Sequence, residues 1–238
     1  MTLLEAMDIR CSRRSYIGTP LESTFLEEAR RTVREINAAS GLSFTLVEDA
    51  KAAFASVWKT GGLFSGVRSI LMAKGPADDP HLFEKVGHEG ERFVLEMTRL
   101  GLGTCWVGAT FDEKTLPVPE GERLVCVIPV GPVPAEPTAK EQMIRKTLRG
   151  KGRSLESRYE VSGTVPAWFY RGMDAVGKAP SARNTQKAGF SCRDGRVTAS
   201  IPDDYRFDLV DLGIAKLHFE IAAGGQFEMG NGSVFSQT

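Results

Sequence analysis

The chain has 238 residues, which is enough for one large domain or two small ones with a proper core. Thirty basic and thirty acidic residues cancel, so no global field favours nucleic acid or an anionic membrane. No apolar run approaches the ~20 residues of a membrane span, and the short, acidic "MTLLEAMDIR" is unlike a signal peptide. Four scattered cysteines without metal spacing predict free, mostly buried thiols in a cytoplasmic protein.

The first half of the chain shows three helical patterns. Thr19-Pro20-Leu21-Glu22 predicts a capping box with proline at the first helical position, and Gly41 ends the apolar periodicity that follows. A second helical stretch is expected around residues 52–58. A long helix is predicted from about Phe83 to Leu100, with Gly101 at its end.

Four apolar runs have the length and composition of strands. "SFTLV" and "SILMAKG" lie in the first third of the chain, and "TCWVG" and "LVCVIPVG" follow the long helix. The last two are the kind of run that fills a sheet covered on both faces. Residues 134–160 then form a locally basic arm that contains several glycines. The arm could bind a phosphate, and a solvated surface strand is an equally good interpretation of it.

The last third of the chain predicts a helix around residues 168–176 and then a hairpin. "FSCRDGRVTASI" should turn at Asp194-Gly195, the dipeptide typical of a two-residue hairpin loop. A final helix has apolar residues along one face and ends at Gly224-Gly225. Helices that alternate with an antiparallel hairpin predict an α+β or mixed α/β class.

Several familiar catalytic motifs are incomplete. His88-Glu89 begins like HExxH, but residue 92 is arginine, so no zincin site is expected. "GLGTCWVG" carries Trp106 where a dinucleotide-binding loop needs its third glycine, and no Walker A motif is present. His218 lies among apolar residues and is interpreted as a hydrogen-bonded core or surface histidine.

Three polar clusters remain, and each has a structural explanation. Arg13-Arg14-Ser15 follows a short N-terminal helix and would complement its dipole, while "RLGLGTCWVG" begins as a helix C-cap. "APSARNTQKAGF", residues 179–190 and called the amide strip below, could be an N-cap and turn. Together the clusters favour a binding site for a neutral, flat, polar-edged ligand.

The clusters resemble the motif set of the nitroreductase-like FMN oxidoreductases. The family pattern is R-[RS]-S-x-R-x-F, A-P-S-x-x-N-x-Q-P-W, and a helix that ends in G-L-G-T-x-W before a strand running to G-[YP]-P. In ordinary members the strip precedes the Gly-Leu-Gly helix, whereas here it follows that helix by some eighty residues. This order resembles a divergent branch from thermophilic bacteria in which one chain imitates both halves of the usual dimer.

The resemblance implies an α+β nitroreductase-like fold, with a mixed, mainly antiparallel sheet flanked by helices in a pseudo-dimeric chain. Residues 1–135 would form the first half, and residues 136–238 the basic arm and second half. The chemistry would lie on FMN, so no catalytic side chain is expected. The implied cofactor-binding residues are Arg13, Arg14, Ser15, Leu102, Gly103, Pro180, Ser181, Asn184, Gln186, Arg149 and Arg153.

The implied activity is electron transfer from NAD(P)H through FMN to a nitroaromatic, quinone or similar small electrophile. Two departures from the pattern are Ile17, in place of a second basic residue, and Lys187-Ala188, in place of Pro-Trp. They favour the alternative of a flavin-binding protein without turnover, and a third alternative is an interaction module that has lost flavin. We expect one FMN per chain and a monomer or weak homodimer.

Overall fold

The computed structural model describes residues 1–148 and 152–238, and Arg149 lies outside them. The described residues form eight α-helices: α1 (Leu3–Ile9), α2 (Ser23–Ser40), α3 (Lys51–Phe54), α4 (Val57–Thr60), α5 (Leu82–Arg99), α6 (Ala139–Leu148), α7 (Ala167–Lys178) and α8 (Asp208–Ala223). They also form nine strands: β1 (Thr45–Val47), β2 (Ser69–Pro76), β3 (Gly103–Thr104), β4 (Glu122–Gly131), β5 (Tyr159–Ser162), β6 (Gly189–Arg193), β7 (Arg196–Ser200), β8 (Gly225–Phe227) and β9 (Phe235–Gln237).

The described chain divides into two compact units that interleave along the sequence. The first unit comprises Met1–Asp8, Phe83–Arg92 and Leu148–Thr238, and the second comprises Ile9–Leu82 and Phe93–Thr147. Helix α5 therefore contributes residues to both units. The predicted halves, by contrast, divide the chain once, after residue 135, and that division stays a prediction.

The second unit is built on a four-stranded sheet in the order β1-β2-β4-β3, with every pair antiparallel. β2 and β4 are almost entirely buried, and the sequence predicted this burial for β4. A register shift between Ala73 and Lys74 interrupts their pairing. The predicted strand "TCWVG" is wrong after Thr104, where only Val107 still pairs with Val127.

The first unit contains a three-stranded sheet, β5-β6-β7, and a two-stranded sheet, β8-β9. β5 pairs with β6 in parallel, and β6 pairs with β7 as the predicted antiparallel hairpin. Asp194 and Gly195 both adopt positive φ, 48° and 81°, as a type I′ turn requires. The hairpin prediction is confirmed.

Helix α5 ends where the sequence predicts, with a backbone arrangement that needs glycine. Gly101 has φ 78° and donates its N–H to the Thr98 carbonyl over 2.9 Å, while Leu102 donates to the Met97 carbonyl over 3.0 Å. These two bonds form the Schellman motif. The helix-cap explanation of the first two residues of Gly-Leu-Gly is therefore correct.

Within the first unit, the Phe83–Arg92 part of α5 packs directly against α8. A Cβ on Gly87 would overlap the Val210 carbonyl, and one on Gly213 would overlap the Glu84 carbonyl. The two helix backbones can approach this closely only because both positions are glycine.

Buried charges line the same helix contact. Lys216 forms an ion pair with Glu84. The imidazole of His218 hydrogen-bonds to Glu91 at 3.0 Å, and that of His88 hydrogen-bonds to Glu220 at 2.7 Å. The apolar face predicted for α8 is largely buried, but so is almost all of the rest of the helix. Burial of Lys216, His218 and Glu220 is tolerated because their charged or polar partners lie on α5.

Other predictions need local corrections. Glu22 is extended, and α2 begins at Ser23, so Thr19 does not cap it. The stretch around residues 52–58 forms two short helices, α3 and α4. The described part of the basic arm contains helix α6 and a 3₁₀ turn at Leu155–Arg158, and a largely exposed strand, β5, begins only at its end, at Tyr159.

The α+β class, with mainly antiparallel sheets and flanking helices, is confirmed. Cys105, Cys126 and Cys192 are buried free thiols, as expected, and Cys11 is half-buried. Across residues 1–148 and 152–238, the helices are too short or too polar to cross a membrane.

Candidate functional site

The Arg13-Arg14-Ser15 turn, in the second unit, holds a carboxylate from the chain itself. Glu141 Oε1 accepts from Arg13 Nε at 3.2 Å, Arg14 N at 2.6 Å and Ser15 N at 3.2 Å. Its other oxygen accepts from the backbone and hydroxyl of Thr138 at 2.8 and 3.1 Å. Successive backbone N–H groups beside a guanidinium are a typical anion-binding concavity.

Glu141 is fully buried and strongly stabilised as an anion. Burial by itself would raise the pKa of its carboxyl, but hydrogen bonds from Arg14, Thr138, Ser15 and Arg13 outweigh that effect and lower the pKa to about 2. The carboxylate is therefore charged at any physiological pH.

The remaining contacts of the turn show that its two arginines have different surroundings. Arg13 is buried and also donates to the carbonyls of Pro134 at 2.8 Å and Glu136 at 3.3 Å. The guanidinium of Arg14 is half-buried and has neither a hydrogen bond nor an ion pair with the described residues. Arg14 is thus the cation of the turn that remains available to an external anion.

Leu102 and Gly103, also in the second unit, are buried at the start of β3. A Cβ on Gly103 would overlap the Val133 side chain and press on Arg13. Gly103 therefore has a packing role, and contact of either residue with a cofactor stays a prediction.

The amide strip lies in the first unit and forms a chain of oriented hydrogen bonds. Arg158 donates from Nη1 to Gln186 Oε1 over 2.6 Å, and Gln186 Nε2 donates to the Ala179 carbonyl at 3.0 Å and to Asn184 Oδ1 at 3.2 Å. Asn184 Nδ2 donates to the Leu148 carbonyl at 3.2 Å. Because backbone carbonyls only accept, both amides can have just one orientation.

The backbone of the strip is held in an uncommon conformation. Arg183, Asn184 and Gln186 have φ of 53°, 57° and 56°, in the left-handed region that side chains other than Gly and Asn seldom adopt. Ser181 stabilises the turn, since its hydroxyl accepts the Gln186 N–H at 3.0 Å. Such conformations concentrate at ligand sites, which favours a binding role for this segment.

Aspartates in the first turn of α8 and just before it hold the strip at two points, Ala182 and Lys187. Both oxygens of Asp211 accept the Ala182 N–H, at 2.9 and 3.0 Å, and Lys187 bonds Asp204 and, at 3.0 Å, Asp208. Burial raises the pKa of Asp211 to about 7 against the opposing hydrogen bond, and the negative charge of Asp208 adds to the rise.

These bonds leave a defined set of polar groups for a ligand. Both protons of the Gln186 amide are used within the strip. Asn184, which is half-buried, keeps one N–H and one carbonyl lone pair without a partner among the described residues. An adjacent donor and acceptor on one amide match the N–H and C=O of an imide edge, such as the pyrimidine edge of a flavin.

The other predicted ligands are less informative. Pro180 is half-buried at the start of the strip, and Arg153 is exposed, with its guanidinium bonded to the Ser157 carbonyl. Arg149 falls outside the described residues. That these three residues contact a cofactor remains a prediction.

Three residues of these two clusters were missed by sequence reasoning. Glu141 sits 126 to 128 residues from the turn it holds, and Arg158 sits 28 residues from Gln186. Asp211 is one of two acidic residues in the first turn of α8. Acidic residues at a helix start were a visible signal, but nothing local identified their partners.

A separate apolar pocket of about 480 Å³ lies in the second unit, between β1, α3 and residues 115–119. Its charged lining groups are already paired, Lys74 with Glu122 and Asp49 with Arg68. Of the predicted cofactor ligands that the structure describes, none lines this pocket.

One solved structure resembles this chain in fold along almost its whole length, and others match a little over half of it. A putative nitroreductase from Thermotoga maritima MSB8 superposes with a TM-score of 0.65 at 20% sequence identity, covering 99% of this chain and 92% of that one. An FMN-dependent nitroreductase from Clostridium difficile R20291 gives 0.47 at 18% identity, covering 56% of this chain and 89% of that one. A putative NADH dehydrogenase/NAD(P)H nitroreductase from Parabacteroides distasonis ATCC 8503 gives 0.46 at 23%, covering 58% and 92%.

No curated protein matches the sequence. The family described as "Putative TM nitroreductase" matches residues 2–223, which is nearly the entire chain. The protein therefore belongs to this nitroreductase family.

Proposed function

We propose that the protein is an FMN-dependent oxidoreductase that passes electrons from NAD(P)H to a nitroaromatic, quinone or similar small electrophile. Membership of the nitroreductase family supports an oxidoreductase. The single observation that carries the flavin assignment is the free donor and acceptor on the oriented amide of Asn184.

The protein's own groups have a binding and orienting role in this proposal. FMN, when bound, supplies the hydride and electron chemistry, so the chain needs no nucleophile of its own. Asn184 would pair with the N–H and carbonyl of the pyrimidine edge, and Gln186 would hold that amide in register. In the second unit, Arg13 and the backbone of Ser15 already bind Glu141 and are therefore not free to hold a phosphate.

Replacement of Asn184 by glycine tests the proposal with little backbone cost, because glycine accepts a φ of 57° freely. We expect FMN to bind about 10- to 100-fold more weakly, as when a buried hydrogen-bonding group loses its partner. Quenching of flavin fluorescence during titration measures the affinity. Thr185→Val, which removes the neighbouring hydroxyl, is the matched control and should bind FMN like the wild type.

An unchanged affinity in a folded Asn184→Gly variant would show that Asn184 is only a turn residue. Wild-type protein that stays colourless after FMN is added would refute flavin binding altogether.

A flavin-binding protein without turnover is the second candidate. Lys187 and Ala188, which stand where the family pattern has Pro-Trp, have structural roles here: Lys187 bonds two aspartates, and Ala188 is buried. The strip thus lacks an aromatic wall at that point. Anaerobic NAD(P)H distinguishes the two functions, since it bleaches the yellow colour of a turnover enzyme and leaves that of a binding protein unchanged.

A further inference from the structure

Arg158 is a buried arginine whose positive charge is not neutralised by an ion pair with any of the described residues. Its side chain is only 3% exposed, and all three of its hydrogen bonds go to neutral oxygens. Nε donates to the Ala188 carbonyl at 3.3 Å, and Nη1 donates to the Val176 carbonyl at 3.3 Å and to Gln186 Oε1 at 2.6 Å. Among the described residues, it has no carboxylate within 4.0 Å, although buried arginines are normally paired.

The surrounding charges do not replace the missing partner. Asp211 acts on Arg158 only at a distance, and both of its oxygens hold the Ala182 N–H. Lys187 pairs with the other carboxylates at this end of α8. Burial is the main cause that lowers the pKa of Arg158 to about 10, and the positive charge of Arg153 is the second. The guanidinium is therefore still charged at neutral pH.

The charge lies directly behind the amide strip. Arg158 contacts Gln186, Gln186 contacts Asn184, and Asn184 offers the free edge to a ligand. A ligand that gains negative charge while bound to this edge would therefore meet an uncompensated cation in a poorly hydrated environment, where attraction is strong and salt screens it weakly.

We propose that Arg158 positions the amide strip through Gln186 and selectively stabilises reduced FMN over oxidised FMN. This inference rests on the proposed flavin function. FMN that takes up two electrons and one proton gains one negative charge, which lies on the pyrimidine part of the ring. Binding of the reduced form should therefore be the tighter of the two, and the bound flavin should be easier to reduce than free FMN.

The experiment compares affinities for oxidised FMN and for FMN reduced anaerobically with dithionite. Arg158→Met removes the charge and keeps an unbranched side chain, while Arg158→Lys keeps the charge and loses the guanidinium fork. Arg171→Gln, which removes an exposed charge from α7 in the same unit, is the matched control.

In Arg158→Met, we expect affinity for reduced FMN to fall at least tenfold more than affinity for oxidised FMN. A tenfold change in the ratio of the two affinities corresponds to a reduction potential of the bound flavin that is about 30 mV lower. In Arg158→Lys, the ratio of the affinity for reduced FMN to that for oxidised FMN should stay within about threefold of the wild-type ratio. Arg171→Gln should leave both affinities unchanged. A purely structural arginine would weaken both forms equally in Arg158→Met, and that result would overturn the inference.

The wild type alone decides the matter if Arg158→Met does not fold. Tighter binding of reduced than of oxidised FMN supports the inference, and equal or weaker binding overturns it. Wild-type protein that binds neither form refutes the proposed function itself, so the two failures are distinguishable.

Discussion

Glu141 should be a major source of stability in the second unit, and Glu141→Gln tests this with almost no change of shape. The amide cannot carry the negative charge that Arg13 and the backbone N–H groups of Arg14, Ser15 and Thr138 stabilise. A folded-state pKa of about 2, against an ordinary value of 4.5, corresponds to about 3 kcal/mol of folding free energy at pH 7. We expect the variant to lose roughly this amount.

The pH dependence gives the effect a distinctive sign. Because folding lowers the pKa of Glu141, its contribution is fully present above pH 4.5 and is lost as the pH falls toward 2. Between pH 7 and pH 3, the difference between wild type and variant should therefore shrink by about 2 kcal/mol.

Urea unfolding of both proteins at pH 7 and pH 3 measures the two differences. Glu136→Gln, which alters an exposed glutamate in the same segment, is the control and should cost little at either pH. A loss below about 1 kcal/mol at pH 7, or an equal loss at both pH values, would refute the reasoning.

Four further tests address other parts of the structure. Burial would lower the pKa of His88, but hydrogen bonds to two glutamates outweigh it and raise the pKa from 6.5 to about 9. His88→Gln should therefore lower the free energy of unfolding in urea by about 3 kcal/mol at pH 6, and this loss should vanish as the pH rises through 9. A loss that does not depend on pH would contradict this. Gly213→Ala should lower stability by about 1–3 kcal/mol through overlap with an α5 carbonyl, whereas Gly177→Ala, with only a side chain 3.3 Å away, should cost much less; equal costs would argue against close helix packing. Arg13→Gln should mainly lower the thermal midpoint, and Arg14→Gln should mainly weaken FMN binding in a salt-dependent way; two variants with unchanged flavin affinity would place the phosphate elsewhere. Native mass spectrometry should find one FMN per chain, and two flavins lost together when a dimer dissociates would show a site shared between chains.

Features that depend on a few neighbouring residues were readable from the sequence. Asp194-Gly195 determined the hairpin turn, because both residues accept positive φ at low cost. Gly41 and Gly101 end α2 and α5 for the same reason. The apolar run of β4 likewise predicted a buried strand, since such a run fills a sheet that is covered on both faces.

Local patterns failed where two interpretations compete over a few residues. Thr19 has the residue type of a helix cap, yet α2 begins at Ser23 because Glu22 is extended. "TCWVG" has strand composition, but its backbone leaves the sheet after Thr104 and pairs again only at Val107. Propensity is a weak guide over such short spans, because tertiary context overrides it.

The identities of the partners in the candidate site came only from the tertiary structure. The sequence by itself indicated Arg13, Asn184 and Gln186 as candidate site residues. It could not show that Glu141 occupies the Arg13 turn or that Arg158 orients Gln186, since neither pairing has a local periodicity. Hydrogen bonds and ion pairs between distant segments depend on where the fold brings each side chain and how far it excludes water, and only the folded chain determines both.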